Sequence, residues 1–289
     1  MEKRLLYLTI LKLFCYVYTF MNNRIFLLHP ATRAASEMFP LGLAILSAIL
    51  RQNGYEVRVI DAAAPLKRLN DQQVLQMIKE FDPLFVGITL TIDFVSEKYK
   101  FINEIKGLKV PIVAGGPHVN YMPEEVLTYS NADIVSIGEG ENAIIEICEY
   151  FQEKRNLESI SGIGYKKDNS VHLTQKRALI EDLDSIPYPD YDDFQIRNYT
   201  GSDDPASDRM FWRIMSSRGC PYTCLFCTSN QVFGRKYRLS SARRMFDEMY
   251  YLHERYGAPT IALQDNEPLI DKNRISTLCD LLMSNKLNH

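Results

Sequence analysis

Short apolar runs alternate with segments of helical periodicity between residues 24 and 151. This alternation is typical of βαβ units, which build a parallel sheet with helices on both faces. The third run, residues 84–90, is apolar throughout and is expected at the centre of the sheet, because both of its faces are covered. Strands are predicted over residues 25–28, 55–60, 84–90, 110–114 and 134–137, and helices over 41–53, 71–81 (capped by Asp71), 94–105 and 142–151.

The loops after the predicted strands are candidate ligand sites, because open parallel sheets bind ligands at the carboxyl ends of their strands. No G-x-G-x-x-G follows the first strand and no P-loop lysine occurs, so nucleotide binding is not favoured. The pattern therefore predicts a doubly wound, Rossmann-like sheet, although a glycine after a strand more often serves the turn than a cofactor. Small-residue loops of this kind occupy residues 29–32, 91–93, 115–118 and 138–141.

The pattern changes after residue 151. Residues 160–173 read as a β-hairpin that turns at Asp168 and Asn169, and residues 183–208 are rich in aspartate and proline and read as an extended connector. Two β/α units follow, the beginning of a barrel-like parallel architecture. We therefore expect three regions after an apolar leader over residues 1–23, namely 24–155, 156–209 and 210–289. The predicted elements of the last region are strands 211–215 and 260–263 and helices 241–256 and 271–283.

Three of the six cysteines fall within eight residues, in a C-x3-C-x2-C spacing formed by Cys220, Cys224 and Cys227. Thiolates select iron–sulfur clusters, zinc or copper(I). A structural zinc site and an ordinary four-iron cluster each take four protein ligands, so a trio leaves one metal position for another ligand. A zinc site completed by His253 is the alternative.

The other cysteines, Cys15, Cys148 and Cys279, stand far apart on apolar or helical stretches and are expected to be buried as small hydrophobic residues. No disulfide framework is visible. A metal-binding trio needs reduced thiols, so the sequence predicts a reducing cytoplasm.

Composition adds two limits. The chain has 289 residues, of which 46% are hydrophobic and 24% charged, as in an ordinary globular protein with room for two cores. Its net charge of −3 and the lack of a dense Lys/Arg run give no signature of nucleic-acid binding. The leader starts like a signal peptide but is interrupted by Lys12 and lacks a cleavage site, so we expect a non-native or disordered segment with Met21 as the start, or else a membrane-surface helix.

The cysteine motif, read with Arg218-Gly219 before it and Phe226 inside it, resembles the radical S-adenosylmethionine (SAM) superfamily. It is most similar to the subgroup with an N-terminal cobalamin-binding domain, whose loops resemble residues 39–43, 115–118 and 138–141 here. The resemblance implies that the three thiolates hold three irons of a [4Fe-4S] cluster and that the fourth iron chelates SAM. An electron from the cluster would then cleave SAM to methionine and a 5′-deoxyadenosyl radical.

The resemblance also assigns site residues. Phe226 would lie near the adenine of SAM, and Asp265 or Glu267 would accept the methionine ammonium; the alternative is that these carboxylates cap the helix beginning near Asp271. An electron donor such as flavodoxin or ferredoxin is implied. The residues expected beside the corrinoid are Gly115, Gly116, His118, Gly138, Glu139 and Gly140.

Two features depart from the family pattern. Some cobalamin domains supply a lower cobalt ligand from a D-x-H-x-x-G motif, but the nearest candidate here, residues 61–64, has no histidine. We therefore expect the lower cobalt face to lack a histidine from that loop, and His118 to have a hydrogen-bonding or structural role rather than to bind cobalt.

The second departure is length. Only about 70 residues follow Arg218, whereas a closed barrel needs about 200 residues or more. A fragment with a missing C-terminal barrel portion is therefore expected. The sequence thus predicts a cobalamin-binding radical SAM protein for methyl transfer or another radical reaction on an unidentified small molecule. The alternative is a non-catalytic corrinoid-binding module with an inert or metal-stabilised barrel remnant.

Overall fold

The computed structural model describes residues 22–31, 38–194, 199 and 212–287. Five parallel strands form one sheet in the order β2-β1-β3-β4-β5, so the fully apolar strand β3 is at its centre, as predicted. Helices connect these strands. The strands are β1 (Arg24–His29), β2 (Glu56–Asp61), β3 (Phe85–Thr89), β4 (Ile112–Gly115) and β5 (Ile134–Ser136); the helices are α1 (Leu41–Gln52), α2 (Asp71–Phe81), α3 (Val95–Lys106), α4 (Pro117–Tyr121), α5 (Pro123–Tyr129) and α6 (Gly140–Phe151).

Strand β1 pairs with β2 on one side and β3 on the other, so the order of the sheet reverses beside it. In doubly wound sheets a ligand binds at such a reversal, outside the carboxyl ends of the strands. The predicted α/β fold is therefore confirmed, and the predicted ligand loops lie at the carboxyl ends of its parallel strands.

Local capping corrects two details of the prediction. Asn70, not Asp71, caps α2, because its side chain accepts from the Gln73 amide at 2.9 Å while the Gln73 side chain accepts from the Asn70 amide at 2.9 Å. Helices α4 and α5 were not predicted. Each begins with a proline at its first position and is too short to show a helical period.

The predicted hairpin is present as β6 (Ile163–Lys167) and β7 (Ser170–Leu173), and Asp168 and Asn169 at its turn adopt positive φ angles. Strand β6 pairs antiparallel with β5, so the sheet has seven strands. The hairpin covers the backbone edge of β5, which would otherwise be unpaired.

Apolar side chains cover both faces of the sheet. Phe26 and Leu28 belong to one cluster, and Ile25 and Leu27 belong to the other. This second cluster runs on without a break to Trp212, so the C-terminal part of the chain shares a core with the sheet.

The connector predicted as extended over residues 183–208 is packed into the core where the structure describes it. Its aromatic and aliphatic residues enter the shared core, and Arg51 of α1 pairs with Asp193 at 2.7 Å. Apolar burial therefore outweighs the signal from its prolines and aspartates. The buried residues are Leu183, Ile186, Tyr191 and Phe194.

The C-terminal part contains the predicted β/α arrangement. Strands β8 and β11 are parallel neighbours, and Ser241 and Asp271 cap the two long helices through their side chains. A two-stranded antiparallel pair, β9 and β10, was not predicted. The elements are β8 (Trp212–Ile214), β9 (Ser217–Arg218), α7 (Ser229–Phe233), β10 (Arg238–Leu239), α8 (Ala242–Tyr256), β11 (Ile261–Leu263) and α9 (Lys272–Ser284).

Several predictions fall outside the described residues, namely those on residues 1–21, Cys15, Thr32, Pro205 and Phe211. Within the described part of the chain, no helix is long and apolar enough to cross a membrane.

Candidate functional site

The three clustered cysteines lie on an irregular loop between β9 and α7. Cys220 is half-buried, Cys224 and Cys227 are exposed, and all three thiols are free. No group of three or more His, Cys, Asp or Glu side chains among the described residues is gathered as a metal site. The loop thus presents accessible thiols, and a cluster would have to draw them together.

Two short strands form the base of this loop. Arg218 of β9 pairs with Arg238 of β10, and the Cys220 amide donates to the Gly234 carbonyl at 3.3 Å. Gly219 has φ +83°, and an added Cβ would lie 2.1 Å from the Lys236 carbonyl oxygen. Only glycine fits there, so the cysteine loop leaves the strand pair at a fixed angle.

Asp265, predicted to bind SAM, follows β11 and reaches the start of β9. Its carboxylate accepts hydrogen bonds from the backbone amide and hydroxyl of Ser217 and from the Ser216 hydroxyl at 2.8 Å. It does not cap the final helix, since Asp271 does so itself. Asp265 therefore ties the segment after β11 to the start of β9, just before the cysteine loop.

Glu267 and Phe226 are the other two residues predicted to bind SAM. Glu267 is half-buried, and its backbone carbonyl accepts from the Tyr237 hydroxyl at 2.6 Å. Phe226 is 89% exposed and its neighbour Leu225 is fully exposed. An exposed aromatic residue of this kind offers a flat apolar face to a ligand.

Glu139, predicted to lie beside a corrinoid, has a different set of contacts. Its carboxylate accepts from Arg218 at 2.9 Å and from Arg238 at 2.8 Å, and all three side chains are buried. The loop after β5 is thereby tied to the base of the cysteine loop. Sequence reasoning missed both arginines; the only signal was the arginine directly before Gly219 in the cysteine motif.

The glycines of the sheet edge differ in their surroundings. Gly116 has φ +95°, and an added Cβ would lie 2.5 Å from the Thr89 hydroxyl oxygen. Gly115 and Gly138 have open space where a Cβ would stand, and Gly140 would meet only the side chains of neighbouring residues at ordinary contact distances. The edge therefore has room for a side chain at Gly115 and Gly138 but not at Gly116.

His118 is buried below the same edge. Its Nε2 lies 2.7 Å from the Tyr99 hydroxyl, which donates to Glu125 at 2.9 Å. Burial and the neighbouring Glu125 raise the pKa of Tyr99 well above its usual value, so its hydroxyl keeps its proton. This network gives His118 hydrogen-bonding contacts.

Two further polar groups lie at the edge; His29 belongs to a loop that the sequence singled out, whereas Lys98 did not stand out. His29 at the end of β1 makes a 2.8 Å contact through Nδ1 with Asp61, which also accepts from the Tyr199 hydroxyl at 2.6 Å. The ammonium of Lys98 is buried and donates to the Thr91 hydroxyl at 2.5 Å. These bonds hold the loops after β1, β2 and β3.

The two other described cysteines differ in burial. Cys148 is completely buried, as predicted, and burial raises its pKa to about 12, so it stays a neutral thiol. Cys279 is exposed on α9, which corrects the expectation that it is buried. Its predicted place on a helix holds.

The geometry defines an α/β protein whose open sheet edge is joined to a loop of free thiols. Comparison with protein families agrees: residues 30–147 match the B12 binding domain. An uncharacterized methyltransferase of Pyrococcus horikoshii is 34% identical over 260 residues, a match that covers 87% of this chain and 55% of that protein. The cytidylyl-2-hydroxyethylphosphonate methyltransferase of Streptomyces wedmorensis is 26% identical, with 79% and 51% covered.

Among solved structures, the radical SAM methyltransferase TsrM of Kitasatospora setae, with tryptophan and a SAM analogue, aligns with a TM-score of 0.71 at 21% identity. The alignment covers 91% of this chain and 50% of TsrM, and at this identity it establishes the fold. Residues 30–147 of this chain therefore match a B12 binding domain, and most of the chain is similar in sequence to the methyltransferases named above. It spans about half the length of the curated relatives named above.

Proposed function

We propose that this protein binds a corrinoid and a [4Fe-4S] cluster and cleaves SAM at the cluster to drive methyl transfer or another radical reaction. One observation carries the proposal: the C-x3-C-x2-C loop is tied by buried ion pairs to the ligand edge of the B12-type sheet. The two sites therefore belong to one packed unit, as a reaction that uses both cofactors requires.

The names of the relatives support this reading. The two relatives named above are methyltransferases, and a second TsrM structure contains cobalamin and a [4Fe-4S] cluster. An anaerobic magnesium-protoporphyrin IX monomethyl ester cyclase of Cereibacter sphaeroides is 26% identical over 277 residues. Relatives of both kinds leave the reaction type and the substrate of this chain open within the radical class.

The donor set fits an iron–sulfur cluster. Cys220, Cys224 and Cys227 are free thiols on a loop without helix or strand, so they can close around iron without loss of secondary structure. When bound, the cluster supplies the electron that cleaves the sulfonium of SAM. The three thiolates would leave one iron open for the amino and carboxylate groups of SAM.

The carboxylates near the loop take different parts in this proposal. Both oxygens of Asp265 already accept protein hydrogen bonds, so its main task is to hold β9 against β11. The Glu267 side chain carries the acceptor role for the methionine ammonium. Phe226 supplies an apolar surface for the adenine, and its exposure falls when SAM binds.

The corrinoid would lie along the carboxyl edge of the parallel strands. Gly115 and Gly138 leave open space there, and Ile92, in the loop after β3, is 71% exposed. A flat macrocycle needs such an uncrowded, partly apolar edge. The loop after β2 contains buried Ala62, Ala63 and Ala64, so that loop offers the cobalt no histidine.

The test is SAM cleavage by the anaerobically reconstituted chain. The protein is loaded with iron, sulfide and hydroxocobalamin, reduced with dithionite and given SAM, and products are separated by liquid chromatography. We expect 5′-deoxyadenosine and methionine, or S-adenosylhomocysteine for methyl transfer. Corrinoid uptake without SAM cleavage by a cluster-loaded sample would support the non-catalytic module instead, and zinc without iron or sulfide would support a zinc site.

A further inference from the structure

Two arginines at the base of the cysteine loop converge on one carboxylate of the sheet domain. Arg218 directly precedes the loop on β9, and Arg238 follows it on β10. Glu139 lies between β5 and α6 and accepts from Arg218 Nη1 at 2.9 Å and from Arg238 Nη1 at 2.8 and 3.0 Å. One carboxylate thus holds both strands from which the cysteine loop extends.

Further hydrogen bonds fix the orientation of the Glu139 carboxylate. Glu139 also accepts from the Ile180 amide at 2.6 Å, and Arg238 donates to the Ile180 carbonyl at 2.5 Å and to the Phe233 carbonyl at 3.0 Å. Arg218 donates in addition to Glu141 at 2.5 Å. The orientation of the carboxylate is therefore set by the backbone as well as by the arginines.

The contact between Glu139 and the two arginines is part of a buried cluster of paired charges. The side chains of Glu139 and Arg238 are each 1% exposed and that of Arg218 is 5% exposed. Glu141 completes the set, so two positive charges meet two negative charges inside the protein. Buried charges persist only when they are paired in this way, and removal of one leaves its partner unpaired.

The pair of strands β9 and β10 connects Glu139 to the cysteine loop. Cys220 is two residues from Arg218, and its amide is bonded to Gly234 across the base of the loop. The close approach of Gly219 to Lys236 leaves no slack between the two strands. A displacement of Glu139 therefore moves the cysteine loop as well as the sheet edge.

We propose that Glu139 is a positioning residue that couples the corrinoid side of the sheet to the cysteine loop, so that binding at one site changes affinity at the other. The inference rests on the proposed function, because it takes the two sites to be those of a corrinoid and a cluster. Gly138 and Gly140 flank Glu139 directly, so a corrinoid seated on them acts on the carboxylate. By linkage the effect is reciprocal.

The experiment measures the Kd for hydroxocobalamin by absorbance titration, before and after anaerobic reconstitution with iron and sulfide. In the unsubstituted protein we expect the two values to differ by about fivefold or more, the lower end of ordinary coupling between sites. In Glu139→Gln the ratio should fall to within about twofold, because the neutral amide no longer holds both arginines. Glu141→Gln, which loses one contact only, should lie between.

Glu146→Gln is the matched control. Glu146 lies on α6, the helix that Glu139 directly precedes, and is paired with Arg177, which does not belong to the base of the cysteine loop. This variant should keep the full ratio. Equal Kd values in the unsubstituted protein, full coupling in Glu139→Gln, or equal loss in Glu146→Gln would overturn the inference.

A second readout needs no cofactor and covers the case in which Glu139→Gln does not fold well enough to titrate. Alkylation of Cys220 in the metal-free protein, followed by mass spectrometry, should be several-fold faster in Glu141→Gln than in Glu146→Gln, because the loop base loosens. Equal rates would overturn the positioning role. If the unsubstituted protein takes up neither cluster nor corrinoid, the proposed function fails, while this rate still decides whether the ion pairs hold the loop.

Discussion

Asp265 and Ser217 are joined by two hydrogen bonds, from the backbone amide and from the hydroxyl of Ser217. Ser217 opens β9, three residues before Cys220, and Asp265 stands two residues after β11. The contact fixes the cysteine loop to the carboxyl end of the parallel strand pair. This is where parallel β/α architectures place their sites.

Loss of this carboxylate should loosen the fold at the cysteine loop. Asp265→Ala leaves the Ser217 amide and two hydroxyls without their acceptor, so we expect the free energy of unfolding to fall by about 1–3 kcal/mol. Asp265→Asn, which keeps one acceptor oxygen, should lose less. Urea denaturation followed by circular dichroism measures both, and equal stability of Asp265→Ala and the unsubstituted protein would show that the contact does not stabilise the fold.

Two adjacent glycines should respond differently to the same substitution. In Gly116→Ala the added methyl group would contact Thr89 and Leu90 at less than 3 Å in a backbone conformation that favours glycine, so we expect a loss of about 1–3 kcal/mol. Gly115→Ala meets open space and should stay within about 0.5 kcal/mol. Denaturant midpoints of the two variants give the comparison; similar losses would contradict the difference in their surroundings.

Gly115→Ala also tests the proposed position of the corrinoid, because it adds a methyl group at the edge of the sheet with little expected loss of stability. Its methyl group stands in the space where the corrinoid is proposed to lie, so the Kd for hydroxocobalamin should rise by about tenfold, which corresponds to about 1.4 kcal/mol. An unchanged Kd for Gly115→Ala would place the corrinoid elsewhere.

Glu248 should make stability depend on pH. Burial raises its pKa to about 7, and the Tyr191 hydroxyl lies 2.8 Å from its carboxyl group. A raised native pKa means that the native state binds the proton more tightly than the unfolded state does. Its contribution is therefore complete below the unfolded pKa near 4.5 and is lost as pH rises through about 7.

Glu248→Gln removes this titration. The stability of the glutamine variant relative to the unsubstituted protein should rise between pH 5 and pH 8, by on the order of 3 kcal/mol at most. Urea midpoints at several pH values measure the difference, and Glu124→Gln, at an exposed position of α5, controls for the loss of a carboxyl group. Parallel pH curves for Glu248→Gln and the unsubstituted protein would contradict the assignment.

The sequence predicts the elements whose position depends on the burial of apolar side chains. The apolar run around Val86 predicts the central strand, which the sheet confirms, and the spacing of Cys220, Cys224 and Cys227 predicts a metal site, which stays a prediction. Contacts between distant segments left no such pattern. Glu139 reads as a loop carboxylate, and only the fold brings it to two arginines 79 and 99 residues away.

Packing also overrode local composition. The segment after Leu183 has the prolines and aspartates of a connector, yet Tyr191 is 1% exposed beside Trp212. The apolar residues of this segment are too few to show a helical or strand periodicity, so the sequence did not predict their burial. The hairpin was predicted, but its pairing with β5 depends on an edge that only the assembled sheet has.

The central claim is that the cysteine loop binds a [4Fe-4S] cluster. The most direct test is the iron and acid-labile sulfide content of the anaerobically reconstituted chain, with Cys224→Ala beside Cys279→Ala, an exposed free cysteine outside the motif. We expect about four irons and four sulfides per chain in the unsubstituted protein and in Cys279→Ala, and a loss of most of both in Cys224→Ala. No cluster in the unsubstituted protein, or equal uptake by Cys224→Ala, would contradict the account.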